Sequence, residues 1–379
     1  MRVKYLGVLT LLLASNLFAA NVYEWQLPNW IPKPIVPQDN PMSEEKVELG
    51  RHLFYDKRLS KDESIACSSC HIQKKAFTDG QAFSRGVNKK FGVRSAMSLT
   101  NVAYLPVFTW SNPQIATLEV QSLIPLFGEH PVEMGMSGQE EILFQRLKKD
   151  KVYQKLFKRA FPDEFKEGEG ALYSLSTITK ALASFERTLL SFNSPYDQYK
   201  YGGNVKAIAE SAKRGERLFF GERMECYHCH GGFNFTDTVS HTRLPFPEKG
   251  FHNTGLYNLD GKGAYPFNNI GIAEFTGDSS DMGKFKTPTL RNIALTAPYM
   301  HDGSIKTIKD VLKKHYAQAG FASQSPKGIS PLRHELITGF YLEDQDVSDL
   351  ASFLNSLTDQ SFIDNPKYSN PWIKLPSKK

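Results

Sequence analysis

Two copies of the pattern Cys-x-x-Cys-His constrain this chain more than any other feature: Cys67-Ser68-Ser69-Cys70-His71 and Cys226-Tyr227-His228-Cys229-His230. Together they use all four cysteines of its 379 residues. Four cysteines in an exported chain would ordinarily be read as two disulfides. The spacing speaks instead for thioether attachment of a haem c at each pair, with the adjoining His71 and His230 as proximal iron ligands. A redox dithiol has no need of the trailing histidine, and zinc would require both pairs to converge on one ion. His228, inside the second attachment loop, is expected to be exposed.

Four cysteines are read in an export context because of the N-terminus. Met1-Arg2-Val3-Lys4 is followed by an apolar run from Tyr5 to Leu13 and then Ala14-Ser15-Asn16-Leu17-Phe18-Ala19-Ala20, the order of a secretory signal. Residues 1–20 are therefore expected to be a signal peptide, cleaved after Ala19 or Ala20, with delivery to the periplasm. The apolar run is too short to span a bilayer comfortably, so no membrane anchor is expected after cleavage. The formal charge of +6 includes Arg2 and Lys4, so removing the signal leaves 6 − 2 = +4. Basic and acidic residues are interspersed, which excludes a nucleic-acid partner.

Gly50-Arg51-His52-Leu53-Phe54-Tyr55 before the first motif and Gly215-Glu216-Arg217-Leu218-Phe219-Phe220 before the second form an internal repeat. Two tandem haem c domains follow, 21–203 and 204–379, with the boundary near the stretch from Ser194-Pro195 to Asn204. Apolar residues recur at helical spacing at Tyr153, Leu156, Phe157, Ala160 and Phe161, after a capping box expected at Ser137 and Glu140. Ile178, Ala181, Leu182, Phe185 and Leu189 form a second apolar face, and Val347, Leu350, Leu354 and Leu357 a third. Strand-like alternation is scarce. The expected class is mainly α: two tandem cytochrome c-like domains with long irregular haem-packing loops, notably Gly232 to Phe285.

Beyond the haem motifs, Asn101-Val102-Ala103-Tyr104, Trp110, His130-Pro131-Val132-Glu133-Met134 and Lys286-Thr287-Pro288-Thr289-Leu290-Arg291-Asn292 running to Ala297-Pro298-Tyr299-Met300-His301-Asp302-Gly303 resemble the bacterial di-haem cytochrome c peroxidases and their MauG-like branch. Tyr23-Glu24-Trp25, Leu27-Pro28 and Phe251-His252-Asn253-Thr254-Gly255-Leu256-Tyr257 look most like the MbnH-type enzymes of that branch. The resemblance implies reaction with hydrogen peroxide at the N-terminal haem, while the C-terminal haem passes or stores electrons. In typical peroxidases a His about sixteen residues after the first motif caps the N-terminal iron until the other haem is reduced. Here no His occurs between His71 and His130. Typical peroxidases also carry a Met as sixth ligand of the C-terminal haem, which raises its potential. Here no Met follows Met300. Both departures favour oxidation of a partner protein by high-valent iron. A conventional peroxidase supplied by a small cytochrome donor is the second reading, and a non-catalytic di-haem electron carrier the third.

The resemblance also implies residue roles. Glu133 moves a proton between the peroxide oxygens, Gln121 is a distal-pocket amide, and Trp110 stands between the haems. A calcium ion between the domains would be held by the carbonyls of Thr296 and Pro298 and by an Asn, whose position is here taken by Ser95. The sixth ligand of the C-terminal haem falls fourteen residues after His301, at His315, whereas relatives carry Tyr at the second position of a His-Tyr pair. Lys313-Lys314-His315-Tyr316 has one extra residue, and one residue turns a helix by about 100°. Helical phase relative to Val311 and Leu312 favours His315; a bulge absorbing the extra residue would restore Tyr316. The MbnH likeness implies as partner a small exported protein with an oxidisable Trp and of a copper-binding kind.

Overall fold

Helices form where the apolar spacing is helical. The computed structural model describes residues 23–320 and 325–373, so the expected signal segment 1–20 lies outside the described residues. The principal helices are α1 Glu44–Phe54, α2 Leu118–Gln121, α3 Glu140–Lys149, α4 Lys151–Ala160, α5 Leu175–Arg187, α6 Glu210–Phe219 and α7 Asp344–Ser356. The one sheet among the described residues pairs β1 Phe251–His252 antiparallel to β2 Phe285–Lys286, with Phe251 opposite Lys286. The class is mainly α, and the long segment between Gly232 and Phe285 is largely irregular.

All three apolar faces are buried. The expected capping box is not formed. Ser137 Oγ instead donates to the Glu129 carboxylate at 2.8 Å, and α3 begins at Glu140 without a side-chain cap. The reason is Gly138, whose φ of 69° breaks helical phase between the two residues. Helix α4 has a cap of its own, because the Asp150 carboxylate accepts from the Val152 N–H at 2.7 Å.

The glycines of the internal repeat have one structural cause. Gly50 lies where α1 crosses α5: a Cβ there would meet the Ala181 carbonyl oxygen at 1.9 Å and Phe185 Cβ at 2.9 Å. Gly215 lies where α6 crosses α7, and its Cβ would meet Asp349 O at 2.0 Å and Phe353 Cβ at 2.8 Å. Each crossing brings two backbones together and aims the end of the first helix at a haem motif.

The repeat runs further than the glycines. Asn101 and Asn292 both have left-handed backbones, at φ 54° and 59°, and each opens a 3₁₀ turn. The N–H of Asn101 donates to Leu189 O and that of Asn292 to Leu357 O, just beyond α5 and α7. Leu99-Thr100-Asn101 and Leu290-Arg291-Asn292 are thus equivalent segments.

One apolar core joins Leu53 and Phe54 of α1, Leu143 of α3, Phe157 of α4 and Phe185 of α5, and Phe362 and Ile363 near the chain end pack on it too. A second core joins Tyr196, Phe219, Phe235, Leu350 and Phe353. Arg291 and Asp197 lie buried beside it, paired through two hydrogen bonds of 2.8 and 3.0 Å.

Candidate haem sites

Each proximal histidine is held in the same way. His71 Nδ1 faces Phe77 O at 2.8 Å, and His230 Nδ1 faces Phe235 O at 3.0 Å. A carbonyl only accepts, so Nδ1 carries the proton and Nε2 keeps its lone pair free for a metal. Phe77 and Phe235 have left-handed backbones, at φ 60° and 51°, which turn their carbonyls back onto the rings. Burial lowers the pKa of both imidazoles and keeps them neutral. The cysteines of both motifs are unpaired and partly buried. His228 is exposed.

The second motif opens on a largely apolar cavity, ≈ 2010 Å³ including its mouth, lined by Cys226, Cys229, His230, Trp110, Lys286 and Tyr316 among others. Its size, apolar wall and free imidazole Nε2 fit a haem c. The wall also includes Ser95 to Ser98 and Thr78, which lie close to the first motif.

The segment that carries the two candidate sixth ligands departs from the α-helical phase that favoured His315. Val311–His315 is a π-helical turn, and that wider turn absorbs the extra residue. Tyr316 consequently lines the cavity, whereas His315 does not. Tyr316 is close to the motif, since burial first, then Cys229 and Cys226, raise its phenol pKa. His315 is fully buried, both ring nitrogens lack a partner among the described residues, and burial lowers its pKa to about 4. Helical phase assumes an unbroken α-helix, and the π-turn departs from it.

Trp110 is half-buried on the cavity wall, and its indole N–H donates to Ser95 O at 2.9 Å. Ser95 begins the segment that leads to Met97, whose backbone lies beside His71. Trp110 is thus tied to the segment that leads to Met97. Thr296 and Pro298 line the same cavity. The Ser95 hydroxyl lies 3.2 Å from Met300 O and 3.3 Å from His301 O and donates to one of these carbonyls. The one cluster of potential metal ligands among the described residues is Cys229, Asp237 and His252, and it includes a haem-motif sulfur.

Around the first motif, Glu133 lies near Cys67 and Cys70, where its carboxylate adds to the rise in both thiol pKa values that burial chiefly causes. Burial raises the pKa of Glu133 itself. Its carboxyl therefore holds a proton more readily than a surface glutamate. Gln121 ends α2 half-buried.

The sequence reading missed a second carboxyl. Glu186 on α5 is 6 % exposed, lies close enough to Cys67 to raise its thiol pKa, and is itself pushed up to about 8, mainly by burial. The signal was available: Glu186 falls four residues after Leu182 and eight after Ile178, in phase with the apolar face. Its neighbour Arg187 donates to both oxygens of Glu119 at 2.8 Å, tying α5 to the helix that carries Gln121.

The fold and these paired sites define a di-haem c-type oxidoreductase. Residues 44–206 match the family model described as di-haem cytochrome c peroxidase. The chain is 32 % identical to the methylamine utilization protein MauG of Methylophilus methylotrophus, over 92 % of each chain. It is 30 % identical to a cytochrome-c peroxidase of Pseudomonas sp. (strain SCT), over 92 % of this chain and 90 % of that one. Among solved structures it resembles a MauG-like protein associated with microbial copper homeostasis, at a TM-score of 0.87 and 45 % identity, covering 93 % of this chain and all of the other. The chain belongs to the di-haem cytochrome c peroxidase family, whose members are oxidoreductases with two haem cofactors.

Proposed function

We propose that this protein reacts with hydrogen peroxide at an N-terminal haem held by Cys67, Cys70 and His71, and uses the oxidising equivalents to oxidise a partner protein. A C-terminal haem would be held by Cys226, Cys229 and His230, and Tyr316 would supply an oxygen ligand to it. When bound, the two haems supply the redox-active iron for peroxide reduction and electron transfer. The observation that carries the reading is Tyr316 on the cavity wall where conventional peroxidases have a methionine. An oxygen ligand favours oxidised iron, which suits a haem that stores oxidising equivalents rather than one charged by a small cytochrome.

Glu133 is the proton carrier. It accepts a proton from one peroxide oxygen and returns it to the other, which leaves as water. Its burial raises its pKa, which makes the carboxylate a stronger base for taking up the proton. Gln121 orients the peroxide by hydrogen bonding, and Trp110 lies on the electron path between the haems. Two electrons drawn from the partner, with two protons, complete the reduction of peroxide to two waters.

The reading assigns the two haem units to 21–203 and 204–379, with the tail at Phe362 and Ile363 packing back on the first core, and takes the signal-like N-terminus as an export signal to the periplasm. No helix among the described residues is long and apolar enough to cross a membrane. The likeness to a MauG-like protein associated with microbial copper homeostasis supports a copper-handling protein as substrate, and the reading takes that protein to be exported and to carry an oxidisable Trp. A calcium ion at Thr296 and Pro298 has less support, because Ser95 uses its hydroxyl within the protein.

The deciding experiment mixes the fully oxidised protein with peroxide in the absence of any donor. Prompt change in the haem spectrum, followed by oxidation of tryptophan in the added partner, is expected. Reaction only after one-electron reduction would favour the conventional peroxidase, and no reaction in either state the electron carrier.

A further inference from the structure

Lys286 has no part in the function proposed above, yet it is 2 % exposed and lines the C-terminal cavity beside Trp110. It belongs to β2, and its backbone N–H donates to Trp110 O at 2.8 Å. Its Nζ donates to Val107 O at 3.0 Å, its only side-chain hydrogen bond among the described residues. Lys286 therefore grips the segment 107–110 from both ends. A buried ammonium with one neutral acceptor and no counter-ion is costly, and burial alone lowers its pKa to about 7.

A second polar group shares this part of the wall. His301 is 5 % exposed, stacks on Phe285 with ring centroids 3.6 Å apart, and has its Nε2 buried without a partner. Its carbonyl accepts from the N–H of Ser95, the residue whose own carbonyl receives the Trp110 indole. His301 thus lines the same cavity as Lys286, on the Phe285 side of β2. Two other ionisable groups on the wall do not supply a free donor: His252 is bonded to Asp237 at 2.5 Å, and Glu225 is acidic.

The missing anion is defined by the cofactor. A haem attached through Cys226 and Cys229 at one edge carries two propionate carboxylates at the opposite edge. We propose that Lys286 is the counter-ion of a propionate of the C-terminal haem, with His301 Nε2 as a second donor at that edge. The propionate edge then faces Trp110 and the N-terminal site, and the Lys286 charge helps to set the potential of the C-terminal haem. Lys286 is a positioning residue here, and the assignment rests on the C-terminal haem proposed above.

The test is a spectroelectrochemical titration of both haems in the holoprotein and in Lys286→Met and Lys286→Arg. A cation beside a haem stabilises the reduced, more negative state. Lys286→Met should lower the C-terminal potential by a tenfold shift in its ferric/ferrous equilibrium, about 59 mV for one electron. Lys286→Arg should stay close to wild type, and the N-terminal haem should not move. A Lys286→Met protein with two haems and an unchanged C-terminal potential would overturn the proposal. Should that variant not be recovered, a crystal structure of the wild-type holoprotein decides. Lys286 Nζ more than about 4 Å from every propionate oxygen refutes the contact, whereas an ion pair within that distance supports it. A wild-type haemochrome assay giving one haem per chain would be a failure of the underlying reading instead.

Discussion

The backbone N–H of Val87 donates to the carbonyl oxygen of Glu133 at 2.8 Å, so the loop after the first haem motif and the segment bearing the candidate proton carrier form one wall. Val87 is sixteen residues after His71, where conventional peroxidases carry the capping histidine. The loop is closed on itself by Gly86 N–H to Lys90 O and Gly92 N–H to Ser84 O. Gly86 packs so tightly that a Cβ there would lie 2.0 Å from Val132 O. The Val87 side chain points toward Gly135, where an added Cβ would meet it at 2.9 Å.

A loop so tied, with no imidazole, would offer no sixth ligand to an N-terminal haem. That haem is expected to be high-spin and five-coordinate in the oxidised protein as isolated. Low-temperature electron paramagnetic resonance reads this directly, and a spectrum with only low-spin ferric signals would refute it.

Glu133→Gln keeps the shape and removes the proton carrier. The peroxide reaction should slow by about 10²–10⁴-fold, the usual range for loss of a general acid–base group, while both haems stay attached. Burial raises the pKa of Glu133, and the group must be ionised to accept a proton. In the wild type the rate should therefore fall as pH drops through a value above the ordinary carboxylate range, and this acid limb should vanish in Glu133→Gln. Stopped-flow mixing across pH measures both effects, and an unchanged rate in the variant removes Glu133 from the mechanism.

Tyr316→Phe should convert the C-terminal haem from low to high spin, because the ring is kept and the ligating oxygen is lost. His315→Ala should leave the coordination unchanged, since the π-turn keeps His315 off the cavity wall. Absorption and resonance Raman spectra of the two variants give the answer, and the reverse pattern would restore His315 as the ligand.

Gly215→Ala tests the helix crossing. In an exposed helix the change would stabilise by up to about 1 kcal/mol through propensity. Here the methyl would meet Asp349 O at 2.0 Å, and the two helices must part to admit it. Overpacking of this kind costs roughly 1–3 kcal/mol, so the sign should reverse. A urea midpoint equal to or above wild type in the holoprotein would show that the crossing yields easily.

The sequence alone determined the haem attachment motifs, the helical class and the tandem repeat. Spacing within a few residues carries that information: Cys-x-x-Cys-His acts through one short turn, and apolar periodicity reports which face of one helix is buried. Glu186 was legible by the same rule, as a carboxyl in apolar phase. The structural meaning of Gly50 and Gly215 was not, because their contacts lie 131 and 134 residues away along the chain, at Ala181 and Asp349. Only the tertiary structure shows that Tyr316, and not His315, lines the cavity. One extra residue can rotate a helix or widen one turn, and the outcome depends on what packs around that turn rather than on the local sequence. The same holds for Lys286, an unremarkable lysine in the sequence, whose charge becomes consequential because folding buries it on the wall of a haem-sized cavity.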